Sequence, residues 1–296
     1  MNSKQRAQEI FSARSADVWS RLYERPENLF EDSVRRRGQH VAGFVARHFG
    51  PEAVVLDLGC GAGVLSEQML IGGKRVVSMD LSQEMVARTS ERLRRFPSER
   101  RGTLRGDCEH LPFSDARFDL AICLGVISFL TQDDQVLAEL RRVLRADGTL
   151  VLAVRNRYPL AKALDPVKVA GRFWRALGRL VTSARRSGPR ESRAAETPRF
   201  YHIGSLVETL RRHGFEVFEE KRIGYGPFTI GGRAFLPLTA QVWLSELVDR
   251  VAALPGLSRL PSMADLCVLA ARAPGRPGTQ AAGSLASGPT PGSRRT

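Results

Sequence analysis

Three glycines and three aspartates carry the most chemistry in this sequence. Gly59, Gly61 and Gly63 stand in residues 54–63 (VVLDLGCGAG), where a β-branched run passes into glycine. A ligand that lies against a backbone turn needs residues without a Cβ there. A helix that starts just after the turn offers N–H groups with no intrahelical partner and the positive end of a dipole. Asp57 precedes the glycines, Asp80 closes the stretch RVVSMD, and Asp107 follows the short stretch 102–105. Carboxylates so placed accept hydrogen bonds from the hydroxyls or amines of a ligand. The spacing is G-x-G-x-G with an acid ahead of it. The pyrophosphate-binding turn is instead G-x-G-x-x-G. A negative charge beside the turn favours a cationic ligand with an amino group over a phosphate.

These residues need a scaffold, and the hydrophobic pattern supplies one. Residues 53–58, 75–80, 118–124 and 149–154 are short apolar runs that read as buried strands, with a shorter strand at 102–105. Helical spacing separates them at 64–71, 82–95 and 133–144, and Ser82 is a good N-cap. Asp147-Gly148 reads as a turn. This alternation predicts an α/β fold with a doubly wound, mostly parallel sheet. Two helices precede it, at 16–23 and 33–49, and Pro51 stops the second. After the fifth strand the rhythm breaks at 155–200. A helix at 203–213 ended by Gly214, a strand at 215–222, a loop at 224–238, a helix at 240–253 and a last strand at 266–271 follow. The expected division is a helical segment at 1–50, a main domain at 51–272 with an inserted cap at 155–200, and a disordered tail at 273–296 rich in Gly, Pro, Ser and Ala.

With these motifs in place, the chain resembles the class I S-adenosylmethionine-dependent methyltransferases, in the group of small-molecule enzymes that includes those of quinone biosynthesis. VLDLGCGAG matches the glycine motif, and FDLAICLGVISFL and DGTLVLAV match the fourth- and fifth-strand motifs. The resemblance implies S-adenosyl-L-methionine as cofactor and a seven-stranded sheet whose last strand is antiparallel. Asp57 and the backbone of Gly59, Gly61 and Gly63 would hold the methionine end. Asp80 would bind the ribose hydroxyls, with Leu81 beside the adenine. Asp107 and Cys108 would contact the adenine, and Leu124 with Gly125 would border cofactor and acceptor. No metal is called for.

Methyl transfer from a sulfonium asks little of the protein beyond in-line positioning and exclusion of water. A general base is needed only where the acceptor carries a proton. Tyr201 and His202 stand where the chain re-enters the sheet after the insertion, and they are the candidates for that role. Trp19 and Tyr23 could close over the cofactor from the N-terminal side. Within the insertion, residues 167–184 place Phe173, Trp174, Leu177 and Leu180 on one helical stripe, with Lys168, Arg172, Arg175 and Arg179 mostly off it. Such a helix suits a lid over a hydrophobic acceptor, lipid-like or anionic. Peripheral contact with an anionic membrane surface is the second reading, and a solvated cover helix the third.

Charge narrows the partners. The net charge is +14, but residues 51–154 carry 13 basic and 15 acidic side chains, a balance of −2. Residues 155–200 carry 12 basic and 3 acidic, a balance of +9. The basic excess therefore sits in the insertion and the tail, outside the core that would bind the ligand. Aromatic residues make up 7% of the chain, with no basic aromatic strand for stacking on bases, so a nucleic-acid substrate is disfavoured. Cys60, Cys108, Cys123 and Cys267 form no C-x-x-C pair, which argues against a disulfide framework. A polar N-terminus and the lack of a long apolar run make a cytoplasmic protein the expectation.

Overall fold

The computed structural model describes residues 25–130, 132–157, 199–226, 236–252 and 264–275, together with Arg21, Tyr23 and two short paired strands at 229–230 and 233–234. The insertion helix expected at 167–184, Trp19 and the tail beyond residue 275 lie outside the described residues.

Seven strands form one sheet: β1 (Val54–Leu58), β2 (Arg75–Asp80), β3 (Arg101–Arg105), β4 (Phe118–Leu124), β5 (Leu144–Arg155), β6 (Glu216–Ile223) and β7 (Leu266–Ala273). Their order across the sheet is β3-β2-β1-β4-β5-β7-β6. The first five are parallel to one another, and β7 runs antiparallel to both β5 and β6. This is the doubly wound sheet expected from the sequence, with the last strand of the chain reversed.

The pleat explains how one sheet covers two cores. Leu56, Leu58, Ala121, Cys123, Leu150 and Leu152 face one layer, and Val55, Leu120, Ile122, Val151 and Ala153 face the other. Successive side chains of a strand point to opposite faces, so a strand buried on both faces reads as a continuous apolar run. Helices α4 (Asp133–Val143) and α5 (Ile203–Arg212) fill the first layer through Leu137, Leu140, Leu206 and Leu210. Helices α1 (Leu29–His48), α2 (Val64–Ile71) and α3 (Gln83–Leu93) fill the second through Val41, Phe44, Leu65, Met69 and Leu93. A sixth helix, α6 (Leu238–Ala252), rests on α1 through the Arg36–Asp249 ion pair.

Two boundaries differ from the sequence reading for identifiable reasons. Helix α1 begins at Leu29 because Asn28 caps it: its side chain accepts from the Glu31 N–H at 3.0 Å, and Glu31 reaches back to the Glu27 N–H at 2.7 Å. That is a capping box displaced by one residue. The turn read at Asp147-Gly148 is a kink inside β5. Asp147 takes a left-handed conformation, at φ 59°, yet Leu144 already pairs with Phe118 and the ladder resumes at Thr149. The turn signal was local, whereas the strand is held by neighbours on both sides.

Candidate functional site

The carboxyl ends of the parallel strands gather most of the residues named above. Asp57 lies near the end of β1, Asp80 ends β2, and Leu124 ends β4. Asp107 follows β3 by two residues, and the Gly106 N–H, bonded to the Asp80 carbonyl at 3.0 Å, ties those two strand ends together. Tyr201 is drawn to the end of β5, where its N–H donates to the Arg155 carbonyl at 2.8 Å and the Arg157 N–H donates to its carbonyl at 2.9 Å. Ligands of open α/β sheets bind at this edge.

The glycine turn divides its labour. All three glycines have positive φ: 72° at Gly59, 55° at Gly61 and 76° at Gly63. A Cβ on Gly59 would fall 2.1 Å from the Val126 side chain, and one on Gly63 would fall 2.9 Å from Thr89. Those two are glycines because the protein itself packs against them. A Cβ on Gly61 would meet nothing within 4 Å. Gly61 is therefore the position at which the backbone lies open to a ligand.

Asp80 holds that turn. Its Oδ2 accepts from the Gly61 N–H at 3.0 Å and its Oδ1 from the Ser82 N–H at 2.9 Å. Burial pushes its pKa up, and the backbone N–H groups pull against that. Each carboxylate oxygen keeps a second lone pair, the acceptor capacity a ribose diol requires. The Ser82 hydroxyl meanwhile caps α3 by accepting from the Met85 N–H at 3.3 Å, as its residue type suggested. Leu81 is fixed by its carbonyl, which accepts from Arg105 Nε at 3.1 Å.

Asp57 is 4% exposed and sits beneath the turn. Its Oδ2 accepts from the Ser66 hydroxyl at 2.5 Å, and the Ser66 oxygen accepts in turn from the Ser78 hydroxyl at 2.8 Å. Burial raises the Asp57 pKa to about 6, and the negative charge of Asp80 adds to the rise while Ser66 opposes it. No cation pairs with Asp57 or Asp80 among the described residues. Two carboxyl groups without a counter-charge, beside an open glycine backbone, fit a ligand that brings a positive charge and hydroxyl groups. S-adenosylmethionine has both.

The loop after β3 is held from a distance. The Asp107 carboxylate accepts from the Glu109 N–H at 3.0 Å, and Cys108 is buried. From α4, Glu139 accepts from the Leu111 N–H at 2.7 Å, while Arg142 donates to the carbonyls of Leu111 at 3.0 Å and Phe113 at 2.7 Å. Neither Glu139 nor Arg142 was legible as a site residue, because an E-x-x-R pair on a helix reads as an ordinary surface pair. Ser66 and Ser78 also went unmarked. A serine amid apolar neighbours, as in VVSMD, was the available signal.

The two proposed base residues differ in setting. The Tyr201 hydroxyl contacts the Ile127 carbonyl at 2.9 Å and Asp133 Oδ1 at 3.0 Å, and it accepts from Arg199 at 2.6 Å. Burial raises its pKa well above that of a free phenol, with the Asp133 charge adding to the rise. His202 is exposed at the N-cap of α5, with Nδ1 3.4 Å from the Ser205 hydroxyl.

Comparison with known proteins supports this geometry. Residues 56–152 match the family model described as a methyltransferase domain. A malonyl-[acyl-carrier protein] O-methyltransferase of Geobacter sulfurreducens is 31% identical over 180 residues, covering 59% of this chain and 61% of its own. A phosphatidylethanolamine N-methyltransferase of Cereibacter sphaeroides is 31% identical over 171 residues, covering 56% of this chain and 78% of its own. The chain spans about half the length of the curated malonyl-[acyl-carrier protein] O-methyltransferases it matches. Among solved structures, a magnesium protoporphyrin IX methyltransferase from Synechocystis PCC 6803 with bound SAM superposes at a TM-score of 0.58, with 16% identity over 92% of this chain and 97% of that one. That likeness carries the fold. The glycine turn, the paired carboxyl groups, the strand order and the sequence relatives agree, and the chain belongs to the class I S-adenosylmethionine-dependent methyltransferases.

Proposed function

We propose that the chain transfers a methyl group from S-adenosyl-L-methionine to a small, largely hydrophobic acceptor, with oxygen as the favoured atom. The observation that carries this reading is the crevice at Gly61, where open backbone meets two carboxyl groups that have no counter-charge among the described residues. When bound, the cofactor supplies a methyl group on a positively charged sulfur. Asp80 would accept from its ribose hydroxyls, and Leu81, Asp107 and Cys108 would bound the adenine. Asp57, beneath the turn, would place negative charge near the methionine end. Leu124 and Gly125 would form the wall shared with the acceptor.

The acceptor side is aromatic. Phe30 and Phe200 cover the Arg155 side chain from α1 and from the segment after the insertion, with its guanidinium 4.7 and 4.8 Å from the two ring centres. Tyr201 lies beside them. The setting of Tyr201 and His202 favours an acceptor atom that is already ionised at neutral pH, since such an oxygen needs no base. The name of the Geobacter relative, an O-methyltransferase, agrees with that choice. No described helix is long and apolar enough to cross a membrane. For the stretch 167–184, outside the described residues, a lid is the first reading, a membrane-surface contact the second and a solvated cover helix the third.

Incubation with methyl-labelled S-adenosylmethionine and cell extract, resolved into lipid, RNA, protein and small-molecule pools, tests the reading. Base-labile label in the small-molecule or lipid pool is expected, because methyl esters hydrolyse in alkali. Label confined to RNA, or to protein in a form that alkali does not release, would overturn it.

A further inference from the structure

Strand β5 ends on a cation that the site description leaves without a task. Arg155 follows Val151 and Ala153 on the face of the sheet that α1 covers, because successive side chains of a strand alternate. Ala153, two residues back, accepts from the Gly125 N–H at 2.9 Å. Arg155 therefore stands beside the wall that cofactor and acceptor would share. Its own carbonyl accepts from the Tyr201 N–H at 2.8 Å, at the point where the chain rejoins the sheet.

The side chain is partly buried, and its guanidinium lies 4.7 Å from the Phe30 ring centre and 4.8 Å from that of Phe200. A ring attracts the charge yet offers no oxygen to the N–H donors. Among the described residues no carboxylate forms an ion pair with Arg155 and no acceptor takes a hydrogen bond from its guanidinium. The charge of Asp265 acts on it only from beyond ion-pair distance, and burial lowers its pKa. The other arginines nearby are satisfied. Arg199 pairs with Asp133 and donates to the Tyr201 hydroxyl, and Arg36 pairs with Asp249.

A guanidinium with its donors free presents paired N–H groups in one plane, and a carboxylate matches that fork. One positive charge balances one carboxylate. The two rings that flank it suit an apolar body behind the charged end.

We propose that Arg155, flanked by Phe30 and Phe200, is the receptor for a carboxylate carried by the methyl acceptor, which makes the acceptor an apolar acid. The inference rests on the methyltransferase reading of the site and names its substrate class. It also agrees with an acceptor oxygen that is ionised before it reaches the site.

The full chain, Arg155→Met and Arg155→Lys test it, each in complex with S-adenosylhomocysteine. Calorimetric titration would compare octanoate with octanamide and benzoate with benzamide, pairs that differ mainly in charge. The wild-type complex should bind at least one acid tenfold or more tightly than its amide. Arg155→Met should bring acid and amide within twofold of each other, and Arg155→Lys should keep part of the preference. Both variants should bind S-adenosylhomocysteine within twofold of wild type. The wild-type preference needs no variant, and Arg155→Lys decides where Arg155→Met does not fold. A wild-type complex that binds no acid, or shows no preference for one, overturns the proposal. So does a preference that survives Arg155→Met, which would leave Arg155 as a brace between two rings. A tenfold loss of S-adenosylhomocysteine affinity in Arg155→Met also overturns it, because the cation would then serve the cofactor. Failure of the wild type itself to bind S-adenosylhomocysteine would count against the methyltransferase reading instead.

Discussion

Arg142 and Glu139, one turn apart on α4, form a two-pronged pair through Nε and Nη2, each 2.8 Å from a carboxylate oxygen, and together they hold three backbone groups of the loop after β3. The helix is packed into the core by Val136, Leu137 and Leu140. The loop's own hydrogen bonds, from the Glu109, His110 and Phe113 N–H groups, fix its local turns, and α4 ties those turns to the core. Each of the two residues keeps the other in place. The Arg142 hydrogen bonds hold the Glu139 carboxyl below the ordinary range, and Glu139 raises the Arg142 pKa.

Removing one half of the pair should therefore act on the adenine side of the site. Arg142→Ala strands the carbonyls of Leu111 and Phe113, and the cost should be about 1–3 kcal/mol of stability. Weaker binding of S-adenosylhomocysteine is expected alongside the lower melting temperature, by about tenfold for each 1.4 kcal/mol of lost loop order. Calorimetric titration checks it. Unchanged affinity in a destabilised variant would mean that the loop holds its shape without α4.

The acid beneath the glycine turn should leave a mark on stability against pH. Asp57 has its pKa raised to about 6 in the fold, above the value of about 3.9 in an unfolded chain. The fold then binds the proton more tightly than the unfolded chain does. The associated stability is fully present below about pH 3.9 and is lost as pH rises through about 6. Asp57→Asn should remove that part of the slope between those limits, measured by thermal unfolding at a series of pH values. The carboxyl groups of Asp80 and Asp249, also raised, add slope of the same sign, and the lowered Glu139 opposes it. Cofactor affinity should run the other way in the wild type and weaken as pH falls below 6, because a protonated Asp57 offers no charge to a cationic ligand. An Asp57→Asn profile that matches wild type in both measurements would remove Asp57 from this role.

The glycine turn offers a contrast between two neighbours. Gly59→Ala drives a Cβ into Val126 at 2.1 Å and should prevent stable folding. Gly61→Ala meets no atom within 4 Å. Its cost to the fold should be only the left-handed strain of about 1–2 kcal/mol. It should still lose cofactor affinity, because its methyl group occupies the ligand's side of the turn. Circular dichroism and equilibrium binding on both variants separate the cases. A folded Gly61→Ala protein with wild-type affinity would show that the ligand does not approach there.

What the sequence disclosed and what it hid follow from the range of the interactions. Ser82 capping α3, Gly214 after α5 and the unbroken apolar run of β4 are decided within a few residues, and all three were legible. The parallel strands followed from the rhythm of the motifs, and the seven-stranded count with its reversed last strand from the resemblance they carry. The contacts that shape the site join distant residues: Gly59 to Val126, Leu111 to Glu139, Arg37 to Gly125. No local pattern encodes such pairs. The kink in β5 is the opposite case, where a true local preference at Asp147 was overridden by pairing with β4 and β7.

Tyr201 and His202 can be separated by kinetics once an acceptor is in hand. The Tyr201 hydroxyl is engaged by Asp133, Arg199 and the Ile127 carbonyl. It is therefore expected to work as a brace between β5, the turn after β4 and the start of α4. Tyr201→Phe should lower the melting temperature, at a cost of about 1 kcal/mol for the hydrogen bonds lost. The Arg199–Asp133 pair remains in the variant to hold the segment. A general base would behave differently, since its removal lowers kcat by about 10²–10⁴ and flattens the limb of the pH–rate profile that reports its titration. For Tyr201→Phe the expectation is a kcat close to wild type with an unaltered pH profile. His202→Gln should likewise leave kcat and the profile near wild type if the acceptor oxygen is already ionised. A collapse of kcat in His202→Gln with its melting temperature unchanged would assign the proton to His202 and direct the search toward hydroxyl-bearing acceptors.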